Sequence, residues 1–257
     1  ISGGKDSAVL LERIHDNLNQ RRDVTIVGGC VDEGIEGYRP PSLECARELC
    51  ESLGVRFETV SYPELGFKEM DEVAQKIIEK KDKKAPCSYC GVFRRQGINH
   101  LAERVGADVI ALGHNLDDMA QTIMMNMQNG DIERTLRLAP HTDTPIEGMA
   151  PRIVPLRWVP EQEIHLYALH KKLPIHHEEC PHGDGALRFR HRETIAKMEA
   201  DVPGTRHGLL RMADDIKKLR KMAGSSLSSV KPINCPECGQ VCSGSVCKAC
   251  EMSKQIS

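Results

Sequence analysis

Residues 2–7 read Ser2-Gly3-Gly4-Lys5-Asp6-Ser7, and Ala8, Val9, Leu11, Ile14 and Leu18 follow at near-helical spacing. Two adjacent glycines let the backbone turn tightly and come close to a ligand. Amides of such a turn, joined by those of the helix N-terminus behind it, converge on an anion. Ser2 and Ser7 add hydroxyl donors and Lys5 adds a cation, so the run is expected to cradle phosphate. A Walker A loop has a longer spacer between its first glycine and Gly-Lys, so this is a different phosphate loop.

Outward from the loop, apolar runs and helical periods alternate. Strands are expected at 24–30, 55–60 and 108–112, and helices at 41–53, 69–81, 92–105 and 116–128. This order predicts an α/β fold with a doubly wound, mainly parallel sheet covered on both faces. Ligands of such sheets bind at the carboxyl ends of the strands. The loop, residues 29–32 and residues 113–118 all stand at strand ends, so they are expected to share one crevice. Residues 152–158 read as a further strand. Residues 161–172 and 189–222 read as helical, with a break at Pro203-Gly204. A phosphate loop ordinarily follows a full strand, yet only Ile1 precedes Ser2, so the first strand is expected to lie outside this chain.

The 257 residues, 40% hydrophobic and 28% charged, suit one α/β domain with a small appendage. No apolar run approaches the ~18 residues of a membrane span, and no secretion signal is visible. A cytoplasmic protein without a membrane partner is expected. The net charge is only −2, but residues 181–231 hold eleven Lys/Arg against six Asp/Glu, among them Arg188, Arg190, Arg192, Arg206, Arg211, Lys217, Lys218, Arg220 and Lys221. Lys76, Lys80, Lys81, Lys83 and Lys84 form a second cluster. Two basic clusters beside a nucleotide site suit RNA. The expected divisions are a catalytic domain (1–180), a basic helical extension that binds RNA (181–224), a Gly/Ser linker (225–233) and a separate cysteine module (234–257).

Eleven cysteines in such a protein argue for metal rather than disulfides. Cys235, Cys238, Cys247 and Cys250 form two CxxC pairs, the ligand set of a closed structural Zn²⁺ ribbon, with Cys242 as a spare thiol. Cys87 and Cys90 form another CxxC, whose spacing suits a redox pair, half a zinc site or two ligands of a cluster. Cys180, followed by Pro181, is a third candidate, since Cys-Pro often closes an iron–sulfur ligand set. Cys30 reads as a small core residue, and Cys45 and Cys50 as core or surface. Asp117 and Asp118, in Gly113-His114-Asn115-Leu116-Asp117-Asp118, are paired carboxylates at a strand end, which suits Mg²⁺ on a nucleotide. His176-His177-Glu178-Glu179 lacks a metal-site spacing and reads as surface. Met124, Met125 and Met127 read as core filling.

SGGKDS, CSYCGxxRR, GHNLDDMAQT, ECPHGDGALRFRHR and the terminal CPECG…CKAC, in this order, resemble the TtuA-type tRNA 2-thiouridine synthetases of the PP-loop ATP pyrophosphatase superfamily. The resemblance spans essentially the whole chain. It implies an ATP site formed by Ser2, Gly3, Gly4, Lys5, Asp6 and Ser7 with Cys30, Asp32, Gly113, Asp117 and Asp118. It implies an oxygen-sensitive 4Fe-4S cluster on Cys87, Cys90 and Cys180, although some relatives have been read as using a persulfide or disulfide. The implied catalytic set is Cys87, Cys90, Cys180, Lys5, Arg94 and Asp118. Arg94 stands where the family usually has lysine, and arginine keeps the charge without serving as a base. The family also places a zinc ribbon before the loop, which, like the first strand, is expected to lie outside this chain. The implied activity is ATP-dependent replacement of the O2 of a tRNA uridine, wobble or T-loop, by sulfur. The expected partners are tRNA, a ubiquitin-like sulfur carrier or inorganic sulfide, and a second copy in a homodimer. Two other readings stay open: another adenylating PP-loop enzyme, such as an amide ligase or a different RNA thiolase, and a non-catalytic tRNA-binding protein.

Overall fold

A computed structural model describes the chain except residues 82–83, 142–147, 184–186 and 225–231, and describes 187–189 by backbone alone. Lys83, the Arg188 side chain and nearly all of the expected linker therefore lie outside the described residues. The elements in chain order are α1 (Lys5–Leu18), β1 (Val27–Asp32), α2 (Arg39–Ser52), β2 (Arg56–Ser61), a 3-10 turn (Pro63–Leu65), α3 (Met70–Glu79), α4 (Pro86–Val105), β3 (Ile110–Ala111), α5 (Leu116–Gln128), α6 (Ile132–Leu136), β4 (Arg152–Ile153), α7 (Glu161–His170), α8 (Leu187–Asp201), α9 (Thr205–Met222), β5 (Ile233–Asn234), β6 (Val241–Cys242) and α10 (Lys248–Gln255).

Most boundaries follow from local chemistry. Asn115 and Asp118 form a reciprocal capping box that starts α5 where expected. Helix α4 starts six residues before the expected 92, because Pro86 takes a first-turn position and carries Cys87 and Cys90 into the helix. It stops at Gly106, whose φ of 63° gives a left-handed cap. Gly204 (φ 92°) makes the expected break between α8 and α9.

β1 pairs with β2 in parallel, from Val27 opposite Arg56 to Asp32 opposite Ser61. β3 pairs with β4, also in parallel. The sense agrees with the expectation, but these four strands form two separate pairs in place of one continuous sheet, and β5 and β6 of the tail form a third, antiparallel pair. Residues 1–3 run beside β1: the Ile1 amine donates to Gly29 O, and His176 N–H, from the segment after α7, donates to Gly3 O at 2.9 Å. β4 is far shorter than the expected 152–158. Pro155 offers no N–H to a ladder, and turns close from Arg157 to Val154 and from Val159 to Leu156.

The main core packs Val31, Val60, Tyr62, Phe67, Val73 and Phe93, with Phe67 and Phe93 stacked 4.4 Å apart. Cys235, Cys247, Ala249, Met252 and Ile256 of the tail belong to this same cluster. The ribbon's apolar residues are therefore docked on the main core. Gln96 Nε2 donates to Cys238 Sγ at 3.2 Å, and Gln240 Nε2 to Glu103 Oε2 at 2.7 Å. Elsewhere, Leu116, Met119 and Ile123 of α5 pack on Leu210 and Ala213 of α9, which seats the basic extension beside the 113–118 motif. Met119 fills this core; Met127, expected to, is exposed.

Candidate active site

Gly3 is a steric necessity. It has φ +82°, and a Cβ on it would lie 1.9 Å from the Ser42 carbonyl oxygen of α2. Gly4 follows in extended backbone and caps α1 without a side-chain bond. Ser2 N–H donates to Ser7 Oγ, and Ser7 Oγ–H donates to Gly4 O, both at 2.9 Å, so the two serines hold the loop's shape. The second motif closes on it. A Cβ on Gly113 would meet the Asp6 carbonyl carbon at 3.1 Å and Ser7 N at 3.2 Å. Asn115, besides capping α5, donates from Nδ2 to Asp6 Oδ1 at 2.9 Å. SGGKDS and GHNLDD thus meet in space.

Lys5 does not extend freely. Its Nζ donates to Glu161 Oε1 at 2.7 Å and to Asp6 Oδ2 at 3.1 Å. Burial works against the ammonium, but the Glu161 hydrogen bond and the Asp6 charge outweigh it and raise its pKa. Glu161 Oε2 accepts from Arg192 at 3.0 Å. Asp117, expected with Asp118 as a metal ligand, accepts from Glu161 N–H and from Arg206, both at 2.8 Å. Arg206 reaches on to Glu199 at 3.4 Å. A ladder of paired charges therefore joins the loop lysine to α8 and α9. Glu161 and Glu199 were not singled out from the sequence, and Arg192 and Arg206 only as part of a basic run.

At the end of β1, Cys30 is buried and its Sγ accepts from Arg39 Nη2 at 2.8 Å. Asp32 Oδ1 accepts from Gly34 N–H at 3.0 Å and closes the strand end. Lys80 holds the Gln255 and Ser257 carbonyls, and Lys84 holds Gln255 Oε1 at 2.6 Å, so part of the second basic cluster secures the chain's last residues.

Cys87 and Cys90 lie in the first two turns of α4, and Cys180 approaches from the segment after α7. Cys87 Sγ donates to His182 O at 3.5 Å. Burial pushes the Cys180 thiol up; the His182 N–H opposes this, and the charges of Cys90 and Cys87 reinforce it. The three sulfurs thus share one neighbourhood around His182, whose ring meets Asp71 Oδ1 at 2.6 Å. Cys90 Sγ accepts from Arg94 Nη2 at 3.2 Å, while the Tyr62 hydroxyl donates to Cys90 O at 3.0 Å and lies 3.6 Å from Sγ. Cys87 is exposed, Cys90 and Cys180 half-buried. Three soft donors on two facing segments, open on one side, fit an iron–sulfur cluster.

In the tail, the sulfurs of Cys235, Cys238, Cys247 and Cys250 all lie within 4.8 Å of one another. That spacing fits one tetrahedral ion. Burial resists ionisation of Cys235, yet N–H groups of Cys247, Glu237 and Cys238 pull its pKa down to about 6. Cys242 stands outside the four and donates to Gly244 O at 3.1 Å.

Among the described residues no helix is long and apolar enough to cross a membrane. Residues 1–198 match the PP-loop domain family. The tRNA 2-thiolation protein NcsA of Haloferax volcanii is 37% identical, over all of this chain and 81% of that protein. The cytoplasmic tRNA 2-thiolation protein 1 of Chlamydomonas reinhardtii is 38% identical, over 97% of this chain and 68% of that protein. Among solved structures, the U34-tRNA thiolase NcsA from Methanococcus maripaludis with its 4Fe-4S cluster superposes with a TM-score of 0.79 at 30% identity, covering 97% of this chain and 78% of that one. With the phosphate loop, the GHNLDD cap and the three gathered cysteines in the family's order, this chain belongs to the PP-loop family of tRNA 2-thiolation proteins.

Proposed function

We propose that the chain is an ATP-dependent tRNA uridine 2-sulfurtransferase that yields AMP and pyrophosphate, acting in the cytoplasm like the relatives whose names place them there. The observation that carries this reading is the meeting of Cys180 with Cys87 and Cys90, at a site joined through Arg94, Glu33 and Arg39 to the carbonyl of Ser2 in the phosphate loop.

ATP lies on the loop amides, with Lys5 and Mg²⁺ offsetting the charge of the departing phosphates. Asp118 and Asp117 are the carboxylates that would hold Mg²⁺, and Arg206 now pairs with Asp117. Uracil O2 attacks the α-phosphorus, the bond to the bridging oxygen breaks, and pyrophosphate leaves. Sulfur then attacks C2, and O2 departs with AMP. Arg94, charged throughout, offsets the negative charge of thiolate or sulfide beside Cys90 and takes no proton. Cys87, Cys90 and Cys180 hold the 4Fe-4S cluster, which supplies an iron free of protein ligands where sulfur is presented. The sulfur comes from a ubiquitin-like thiocarboxylate or inorganic sulfide. Cys235, Cys238, Cys247 and Cys250 hold Zn²⁺ and keep the tail docked. tRNA lies along α8 and α9, and a homodimer lets one subunit's helices assist the other's substrate.

The test is anaerobic reconstitution with ATP, sulfide and unmodified tRNA, followed by nucleoside analysis. 2-Thiouridine is expected. Its absence despite an intact cluster and ATP cleavage would overturn the reading.

A further inference from the structure

Glu33 follows the last residue of β1 and is only 3% exposed. Its Oε1 lies 2.7 Å from Arg94 Nε, and its Oε2 lies 2.7 Å from Arg39 Nε. A carboxylate this deeply buried is costly unless paired, and here each oxygen has its own guanidinium. The two pairs differ: Glu33 Oε2 and Arg39 Nε face each other without a hydrogen bond, so Arg39 is oriented by its other donors, while Oε1 holds the Arg94 guanidinium. Arg39, itself buried, turns its remaining donors to Ser2 O at 3.0 Å and Cys30 Sγ at 2.8 Å. Arg94 is 49% exposed and would be mobile alone, but its Nη2 is held 3.2 Å from Cys90 Sγ.

The three cysteines are consequently unequal. Cys90 receives a charge-assisted hydrogen bond from Arg94 and a second contact from the buried Tyr62 hydroxyl. Cys87 instead donates to the His182 carbonyl. We propose that Glu33 is the positioning residue of the cysteine site: by holding Arg94 on Cys90 Sγ, it raises the reduction potential of the cluster that Cys90 ligates. The inference rests on the cluster reading above. Hydrogen bonds to a ligand sulfur stabilise the reduced, more negative form of such a cluster, so losing one shifts the potential downward.

The experiment uses the anaerobically reconstituted full chain and its Glu33→Asp, Glu33→Gln, Arg94→Gln and Glu33→Asp/Arg94→Gln variants. Iron and sulfide content, thermal unfolding and the midpoint potential of the cluster signal are measured for each. Glu33→Gln strands two guanidinium groups, so Glu33→Asp, which keeps the charge but withdraws it by one methylene, guards against a failure to fold. The expected result is unchanged iron and sulfide content with a lower potential in Glu33→Asp and Arg94→Gln. The double variant should fall no further than Arg94→Gln alone, because Glu33 acts through Arg94. Wild-type potentials in both single variants, or a fully additive double, would overturn the proposal and leave the cluster reading standing. A parent protein that takes up no iron and sulfide overturns both.

Discussion

Lys5 of the phosphate loop and Glu161 of α7, 156 residues apart, meet at 2.7 Å, and Arg192 holds the other Glu161 oxygen at 3.0 Å. The cation that the loop offers to phosphate is already neutralised by a carboxylate. Removing either partner should therefore move nucleotide affinity in opposite directions. Lys5→Ala is expected to weaken binding of a non-hydrolysable ATP analogue by about 1–2 kcal/mol, roughly tenfold. Glu161→Gln removes a competing negative charge and should tighten it several-fold, by about 1 kcal/mol. Calorimetric titration of both variants decides the point; weaker binding in Glu161→Gln would mean that the carboxylate orients Lys5 rather than competing for it.

Gly3→Ala is expected to abolish ATP binding. A Cβ would stand 1.9 Å from Ser42 O, and the left-handed backbone alone costs a side chain about 1–2 kcal/mol. Relief requires shifting α2 or the loop. A melt with and without ATP should show a lower melting temperature and no nucleotide-dependent rise. Gly4→Ala, with extended backbone and only Ser2 Oγ within 4 Å, should be much milder.

These loop effects were legible in the sequence because their causes are local. Adjacent glycines announce a tight turn, and Asn115 three residues before Asp118 announces the start of α5, which falls where expected. Cys235 to Cys250 could be read from ligand spacing alone. Glu161, Arg206 and Glu33 carried no such signal. Their partners lie far away in sequence, and no period or motif predicts which charge a distant guanidinium will meet. β4 was overestimated because an apolar run looks alike whether it pairs or turns, and Pro155 decided between them. The ribbon's docking was hidden too, since its apolar residues are few and reveal their partner only in the shared core.

Arg206 gives a pH-dependent prediction. It pairs with Asp117 at 2.8 Å and with Glu199 at 3.4 Å. Burial would raise the Glu199 pKa, but N–H groups of Arg206 and Gly204, helped by the guanidinium, bring it below its ordinary 4.5. A depressed carboxylate stabilises the fold fully above its unfolded pKa and loses that contribution as pH falls through the folded one. Arg206→Ala is expected to cost about 1–2 kcal/mol at neutral pH. The gap should narrow as pH falls through the depressed folded pKa of Glu199 and the carboxylate takes up its proton. Urea melts from pH 3 to 8 would show it; a constant gap would place the loss in packing.

Chelation should unfold more than the tail. Met252 and Ile256 share the core of Val31 and Phe93, so removing the proposed Zn²⁺ from Cys235, Cys238, Cys247 and Cys250 should expose part of that core. The expected cost is on the order of several kcal/mol, seen as a lower melting temperature of the one main calorimetric transition. A separate low-temperature transition with the main one unmoved would show that the ribbon folds independently of the core it touches.

Cys180→Ala separates the two halves of the chemistry. Cys180 lies with Cys87 and Cys90 around His182, whereas the loop geometry depends on Ser2, Ser7, Gly113 and Asn115. No hydrogen bond joins Cys180 to any of these four among the described residues. Loss of one of the three proposed ligands should therefore abolish cluster retention and 2-thiouridine formation while leaving ATP affinity within about twofold, under ~0.5 kcal/mol. Iron content, nucleoside analysis and nucleotide titration on one preparation check all three. A fully active Cys180→Ala protein would confine the sulfur chemistry to the Cys87–Cys90 pair and remove the reason for a three-cysteine site.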